Sequence, residues 1–178
     1  LNLKDLDSAL YYAKKSLRAK EEIFRKDNFD IAVSCNQLGV IYRELEKYNI
    51  AAKFFKRAAL AFGIDSNYYP SMMLNIFKLY KKQLDAEAMG NYAKHAHQRA
   101  KKLYNSDIGL ADTYKALADY YDVVGESEIS LLYYDSALRV QNFHFKGSFD
   151  SLQNPVTLYN TLVHKGLMLK KYGQDSSI

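Results

Sequence analysis

The chain has 178 residues, of which 48% are hydrophobic and 25% are charged, so it contains enough apolar residues for a packed core. Its 8 glycines and 2 prolines are too few for the frequent turns of a sandwich or barrel, which predicts a mostly helical, soluble domain. The chain is mildly basic, with a net charge of +5, and no apolar run approaches the roughly 20 residues of a membrane span.

The hydrophobic pattern predicts eight helices, which are separated by capping or turn residues. Asp30, Asp107 and Asn154-Pro155 stand where helices are expected to begin, because Asx side chains cap helices and proline is tolerated in the first turn. Gly63 and Gly125 stand where helices are expected to end. The predicted helices span residues 4–26, 30–46, 48–62, 69–83, 85–104, 108–124, 126–142 and 154–171.

A pattern of small and large residues, typical of two packed helices, recurs along the chain. Its first full copy consists of Leu38, Gly39, Tyr42, Ala51, Phe55 and Ala58. The next copies are Ile76, Phe77, Tyr80, Met89, Ala93 and Ala96, and then Leu117, Ala118, Tyr121, Ser130, Tyr134 and Ala137. Half copies at the two ends are Ala9, Ala13 and Ser16, and Asn160, Leu162, Val163 and Tyr172. The first equivalent residues of the full copies lie 38 and then 41 positions apart.

This arrangement resembles the tetratricopeptide repeat (TPR) family, an array of helix–turn–helix units with a period of about 34 residues. The resemblance covers the chain from about Leu3 to Tyr172 and implies an all-α fold in which antiparallel hairpins form a right-handed superhelix. A single array would then comprise a half-repeat at 3–27, full repeats at 30–64, 69–104 and 108–142, and a half-repeat at 154–172. The chain departs from the family in its longer spacings, in its lack of tryptophan and in Gly166, which replaces the ring equivalent to Tyr42.

Both terminal helices lack a partner in this arrangement. The first resembles the second half of a repeat, and the last resembles a first half whose Leu158, Leu162, Leu167 and Leu169 have no following helix. We expect the parent protein to continue in both directions. The alternative is that these two helices cap the array.

No sequence motif predicts catalysis, a cofactor or a metal site. Glycine-rich phosphate loops are absent, and the carboxylates are spread over helix surfaces. His95 and His97 lie two residues apart on a helix, so they point in different directions and cannot share a metal. Cys35 is expected to be a small buried hydrophobe, because no cation or base stands beside it in the sequence. We therefore predict that the chain is not an enzyme and uses no cofactor.

The resemblance implies that the first helices of the repeats line a concave wall, which is the predicted binding groove for a protein or peptide. Residues with i, i+4, i+7 spacing share a face of each first helix. The predicted groove residues are Asn36, Val40 and Arg43; Leu74, Lys78 and Lys81; Lys115, Asp119 and Asp122; and Asn160, His164 and Leu167. Only Asn75 fits the carboxylate-clamp subset of the family, so we do not predict binding of a chaperone C-terminus.

Charge is segregated along the predicted array. Six basic and two acidic residues lie between Lys81 and Lys102, whereas seven acidic residues and one basic residue lie between Asp107 and Asp135. This segregation can steer a dipolar partner. The alternative is that these charges only solvate the helices.

The favoured function is a non-catalytic protein- or peptide-binding scaffold without membrane contact. Long-period arrays in bacterial sensor kinases and transcription regulators resemble this chain, which implies a sensory or interaction segment of a larger signalling or transcription-regulatory protein. One alternative is dimerisation through the terminal helices. RNA binding by Lys94–Lys102 is disfavoured, because the neighbouring acidic repeat repels phosphate and no base-reading residue pair recurs. The sequence leaves open a cytoplasmic or periplasmic location, and whether the phenylalanine-rich connector 143–149 packs internally or contacts a partner.

Overall fold

Eight α-helices and no strand are present in the residues that a computed structural model of the chain describes, which are 3–25, 27–103, 108–143 and 155–173. The helices are α1 (Leu3–Ile23), α2 (Phe29–Glu44), α3 (Tyr48–Phe62), α4 (Tyr69–Gln83), α5 (Ala86–Leu103), α6 (Ile108–Val123), α7 (Ser127–Phe143) and α8 (Pro155–Gly173). Every predicted helix is confirmed, with its ends within three residues of those expected. None of these helices is long and apolar enough to cross a bilayer.

The helices fall into two units, Leu1–Asp85 with α1 to α4 and Ala86–Ile178 with α5 to α8. Consecutive helices pack against each other within each unit, and the tightest pairs are α2 with α3 and α6 with α7. These are the predicted first and third full hairpins. The predicted pairing of α4 with α5 spans the two units and stays a prediction.

The ends of the helices follow local side-chain chemistry, with one correction. Asn28, rather than Asp30, caps α2, because its Oδ1 accepts a hydrogen bond from the backbone N–H of Asp30 at 2.8 Å. Asp30 lies in the first turn, where its negative charge interacts favourably with the positive end of the helix dipole. Gly63 and Gly125 follow α3 and α6 with φ of +84°, as expected for glycines that end helices. Asp107 and Asn154 lie outside the described residues.

The hairpin of α2 and α3 packs a ring against a glycine. Leu38, Gly39 and Phe55 are buried, and a Cβ atom added at Gly39 would lie 2.5 Å from Cε1 of the Phe55 ring. Glycine at this position therefore lets the ring fill the space between the two backbones. The repeat pattern predicted this small–large pairing.

The hairpin of α6 and α7 uses the same principle with different residues. Ala118 on α6 and Tyr134 on α7 form a buried cluster with Met168 of α8. The Ser130 hydroxyl donates to the Ala118 carbonyl oxygen at 2.9 Å, which satisfies a polar group inside this packed region. The core of the second unit thus joins three helices around Tyr134.

Cys35 is fully buried, which confirms that it packs as a core residue. Burial raises the pKa of its thiol, and the nearby Arg57 guanidinium offsets only part of that effect. A cation therefore does lie near the thiol, contrary to the reasoning from neighbouring sequence. Arg57 is on α3 and binds Glu21 of α1.

Candidate functional site

The first helices of the first unit, α2 and α4, contact each other through a pair of amides. Asn75 Nδ2 donates a hydrogen bond to Asn36 Oδ1 at 3.2 Å. Both side chains are half-buried. This bond shows that α2 and α4, which both carry predicted groove residues, are neighbours in space.

Four cationic side chains line a depression of about 380 Å³ on α2 and α4. We call it the basic depression, and its residues are Arg43, Lys78, Lys81 and Lys82. Three of them are predicted groove residues, which the structure brings together. Lys82 was missed, because it falls one position beyond the i, i+4, i+7 set, although it lies four residues after Lys78 and so shares its side of the helix.

Two features near the basic depression reduce its positive charge. Arg43 donates to Glu44 Oε1 from Nη2 at 2.8 Å and from Nε at 3.1 Å. Arg43, Lys81 and Lys82 lie in or next to the last turns of their helices, where each helix end carries about half an elementary negative charge. Leu74, in contrast, is buried in the core and does not line the depression.

A second depression, of about 520 Å³, lies between α1 and α2. Tyr12 and three small residues of α1 form one side, and residues of α2 that include Asn36 and Val40 form the other. Asn36 and Val40 therefore remain at the surface, half-buried, as expected for groove residues. The full lining is Ala9, Tyr12, Ala13, Ser16, Asn36, Gln37, Val40 and Ile41.

In the second unit, the structure draws the predicted groove residue Asp119 into the core. Its side chain is 5% exposed, and its Oδ1 accepts a hydrogen bond from the Tyr134 hydroxyl at 2.5 Å. Lys115 Nζ lies 3.5 Å from Asp119 Oδ2. Burial, together with the Asp119 carboxylate, raises the pKa of Tyr134 far above its usual range, so the phenol stays a donor. These contacts give Asp119 and Lys115 a structural role.

The remaining predicted groove residues of the second unit lie on α6 and α8. Lys171 Nζ lies 3.0 Å from Asp122 Oδ1, which ties α8 to α6. His164 is half-buried, and its ring is stacked at 6.4 Å from that of Tyr134. Leu167 is exposed. The side chain of Asn160 and the connector residues 144–149 lie outside the described part of the chain.

His97 forms a polar contact in the second unit that the sequence did not predict. Thr113 Oγ1 donates to the Leu110 carbonyl oxygen at 2.7 Å, so its lone pair accepts from His97 Nδ1 at 3.0 Å. Burial, aided by the nearby Lys101 charge, lowers the pKa of His97 to about 4. The imidazole is therefore neutral near pH 7.

Within the described ranges, no three His, Cys, Asp or Glu side chains are grouped as a metal site would require. The residues that line the two depressions are cations, amides, apolar side chains and the hydroxyl residues Tyr12 and Ser16. Such a set suits recognition of another molecule, since it pairs charge and hydrogen-bond donors with surface that a partner can cover.

No protein-family model matches the chain, and no curated protein is significantly similar to it. Solved structures, however, share its architecture. The crystal structure of BtubC (BKLC) from P. vanneervenii matches with a TM-score of 0.80 and 18% identity, covering 95% of this chain and 67% of that one.

Two further neighbours contain nearly identical TPR-like repeats of a Podosopora anserina protein described as a putative kinesin light chain. One matches with a TM-score of 0.71 and 9% identity, covering 95% of this chain and 80% of that one. A variant of the same repeats matches with a TM-score of 0.66 and 8% identity, covering 95% of this chain and 89% of that one. At these identities the likeness concerns the fold alone. The chain therefore has the all-α fold of TPR-like repeat proteins.

Proposed function

We propose that this chain is a non-catalytic scaffold that binds a protein or peptide on the surface of α2 and α4. We call this the first-helix surface, and its residues are Asn36, Val40, Arg43, Lys78 and Lys81. The observation that carries the proposal is the Asn36–Asn75 hydrogen bond, with the basic depression beside it. Together they join two first helices into one surface that offers both amides and charge.

The two units differ in the exposure of their predicted groove residues. In the second unit, Asp119 and Lys115 bind each other, and Asp119 also binds Tyr134. In the first unit, the basic depression is open to solvent and Val40 remains half-exposed. The first unit therefore supports recognition better than the second.

We also propose that the chain is the interaction segment of a larger signalling or transcription-regulatory protein. This proposal rests on the resemblance of its long repeats to those of bacterial sensors and regulators. The test is the complete open reading frame that encodes the chain. A kinase or DNA-binding region in that frame is expected, and an unrelated enzyme there would contradict the proposal.

The binding proposal is tested by selecting peptides of about twelve residues from a display library on the immobilised chain. The blocking variant is Val40→Trp with Lys78→Trp, which covers the first-helix surface. The matched control is Lys53→Trp with Leu60→Trp, since both residues are exposed on α3. We expect the blocking variant to lose about tenfold or more of peptide affinity. Failure to select any peptide, or equal loss in both variants, would contradict the proposal.

Self-assembly is a second candidate, and one observation favours it. Four apolar residues of α8 are exposed, namely Leu162, Val163, Leu167 and Leu169. A surface of this kind is typical of a subunit contact. Sedimentation velocity across protein concentration tests it: a dimer that Leu167→Glu dissociates is expected, and a monomer at all concentrations would contradict it.

A further inference from the structure

We infer that α8 of one copy of this chain binds in the depression between α1 and α2 of a second copy, which completes a helical hairpin between two chains. This inference rests on self-assembly, the second candidate function, and goes beyond it by naming both sides of the contact. One side is the α1–α2 depression, whose eight lining residues are given above. The other is the α8 apolar face, which consists of Leu162, Val163, Leu167 and Leu169.

The helix α8 has one packed face and one exposed apolar face. Thr161 and Met168 are buried, and Met168 belongs to the core cluster around Tyr134. The four residues of the α8 apolar face are 39–60% exposed. Gly166 lies among them, and no described atom lies within 4 Å of a Cβ added there. Apolar side chains grouped around such a gap suit a packed partner better than water.

The equivalent positions of α2 are covered by a second helix. The repeat pattern makes residues 162, 163 and 166 equivalent to Leu38, Gly39 and Tyr42. These three are buried, and Gly39 packs against the Phe55 ring of α3. Leu167 is equivalent to Arg43, which faces α4 across the basic depression. The α8 apolar face therefore matches the side of α2 that contacts a second helix and the next first helix.

The lining of the α1–α2 depression matches the parts of α3 and α4 that contact α2. The repeat pattern makes Ala9, Ala13 and Ser16 equivalent to Ala51, Phe55 and Ala58, which are fully buried on α3. It also makes Gln37 equivalent to Asn75, whose amide bonds Asn36 of α2. All four equivalents, Ala9, Ala13, Ser16 and Gln37, line the α1–α2 depression. A helix that packs like α2 therefore fits there.

Each unit contains the three-helix arrangement that this contact would reproduce. In the first unit, α2 packs against α3 and bonds α4, while α3 packs against α4. In the second unit, α6 packs against α7 and contacts α8, while α7 packs against α8. The helix α1 packs against α2 in the same way, but Ala9 and Tyr12 beside this contact are exposed. A third helix seated on both would complete the same arrangement.

Charge favours α8 as that helix and sets its direction. The described sequence of α8 has no acidic residue, and it ends with Lys170 in the last turn, whereas α1 has Asp5 in its first turn. These two exposed residues are equivalent to positions 46 and 47, which are adjacent in the turn after α2. In an antiparallel hairpin the two charges would therefore meet, and opposite charges fix the orientation of two partners. The cations in the middle of α1, Lys14, Lys15 and Arg18, do not line the depression.

Sedimentation velocity on paired variants tests the depression. The depression variant, Ala9→Arg with Ser16→Arg, adds bulk and charges of the same sign as those of α8, and both residues are exposed in the single chain. The matched control, Glu22→Lys, makes the same change in net charge at an exposed position of α1 outside the depression. We expect the wild type and the control to associate with the same Kd. The depression variant should raise this Kd at least about tenfold.

A second pair of variants tests α8. The α8 variant, Leu162→Glu with Leu169→Glu, places charge on the apolar face and should also raise the Kd at least about tenfold. Its matched control is Leu60→Glu with Leu132→Glu, because these leucines are exposed on α3 and α7. We expect this control to associate like the wild type. Equal losses in the α8 variant and its control would overturn the inference.

A mixture of the two variants distinguishes this contact from a symmetric one. The depression variant keeps an intact α8, and the α8 variant keeps an intact depression. An equal mixture should therefore form a one-to-one complex with the wild-type Kd, although neither variant associates alone. If α8 packed against α8 of the second copy, the depression variant would associate alone and the mixture would form no new complex. Either result would overturn the inference, while dissociation by Leu167→Glu would still support self-assembly.

A wild type that stays monomeric at all concentrations would overturn both this inference and the self-assembly candidate. In that case, the library selection described above identifies the occupant of the depression. A selected peptide that loses affinity in the depression variant, but not in Glu22→Lys, would assign the depression to a foreign partner. The scaffold function would then stand without the contact between copies.

Discussion

The close packing of Gly39 against Phe55 makes a sharp prediction about stability. In Gly39→Ala, the new Cβ would lie 2.5 and 2.6 Å from two ring carbons of Phe55, closer than real Cβ contacts allow. Phe55 is fully buried, so its ring cannot swing into solvent. Overpacking of this kind costs about 1–3 kcal/mol, whereas alanine gains about 1 kcal/mol over glycine in a helix. The difference is a loss of up to about 2 kcal/mol in the free energy of unfolding, and we expect a value in the upper half of that range because the buried Phe55 ring has no room to move.

Two other helical glycines provide matched controls. Nothing lies within 4 Å of a Cβ added at Gly166, so Gly166→Ala should stabilise the chain by up to about 1 kcal/mol. At Gly90 the added Cβ would meet the Tyr120 ring at 2.7 Å, but this ring is half-exposed and can shift. We expect Gly90→Ala to lie between the other two variants.

Urea unfolding followed by circular dichroism measures all three variants. A second substitution, Phe55→Leu, should recover part of the loss in the Gly39→Ala background, because it removes the ring edge that clashes. A Gly39→Ala variant as stable as the wild type would contradict the predicted clash. So would a Phe55→Leu substitution that lowers the free energy of unfolding by the same amount in the Gly39→Ala background as in the wild type.

Two further predictions concern the second unit. The pKa of His97 is lowered to about 4 from 6.5, so between these pH values the imidazole is protonated in the unfolded chain but not in the folded chain. The neutral His97 therefore contributes fully to the free energy of unfolding above pH 6.5, and this contribution is lost as the pH falls toward 4. Urea unfolding at several pH values should show about 1–2 kcal/mol of this loss in the wild type and not in His97→Gln, since the ring is partly exposed; parallel pH curves would contradict it. Tyr134→Phe leaves the buried Asp119 carboxylate without its hydroxyl donor and should lower the free energy of unfolding by about 1–3 kcal/mol, whereas Tyr133→Phe on the same helix, half-buried, should change it little. Equal effects of the two tyrosine variants would count against the Tyr134–Asp119 hydrogen bond.

The helices and most of their ends were predictable because they depend on local information. Apolar spacing defines a helical face within a few residues, and Gly63 and Gly125 supply the backbone conformation that ends a helix. The cap of α2 was less predictable. Asn28 and Asp30 are both capping residues, and only the backbone path shows that Asn28 has the extended conformation required of a cap.

The candidate site was predictable only where it depends on the spacing of residues along one helix. Arg43, Lys78 and Lys81 follow from helical spacing, and the structure does place them around one depression. The burial of Asp119 depends on the hydroxyl of Tyr134, which is supplied by the following helix. The reach of Lys82 depends on its long flexible stem. Contacts between helices and side-chain reach are not encoded in the spacing along one helix.

The central claim, that a protein partner binds the first-helix surface, is tested most directly by nuclear magnetic resonance. A library-selected peptide is titrated into the ¹⁵N-labelled chain, and the side-chain amide signals of Asn36 and Asn75 are followed. These amides bond each other between α2 and α4. We predict that their shifts change together with the backbone signals of α2 and α4. Shifts confined to α3, around Lys53 and Leu60, would contradict the claim.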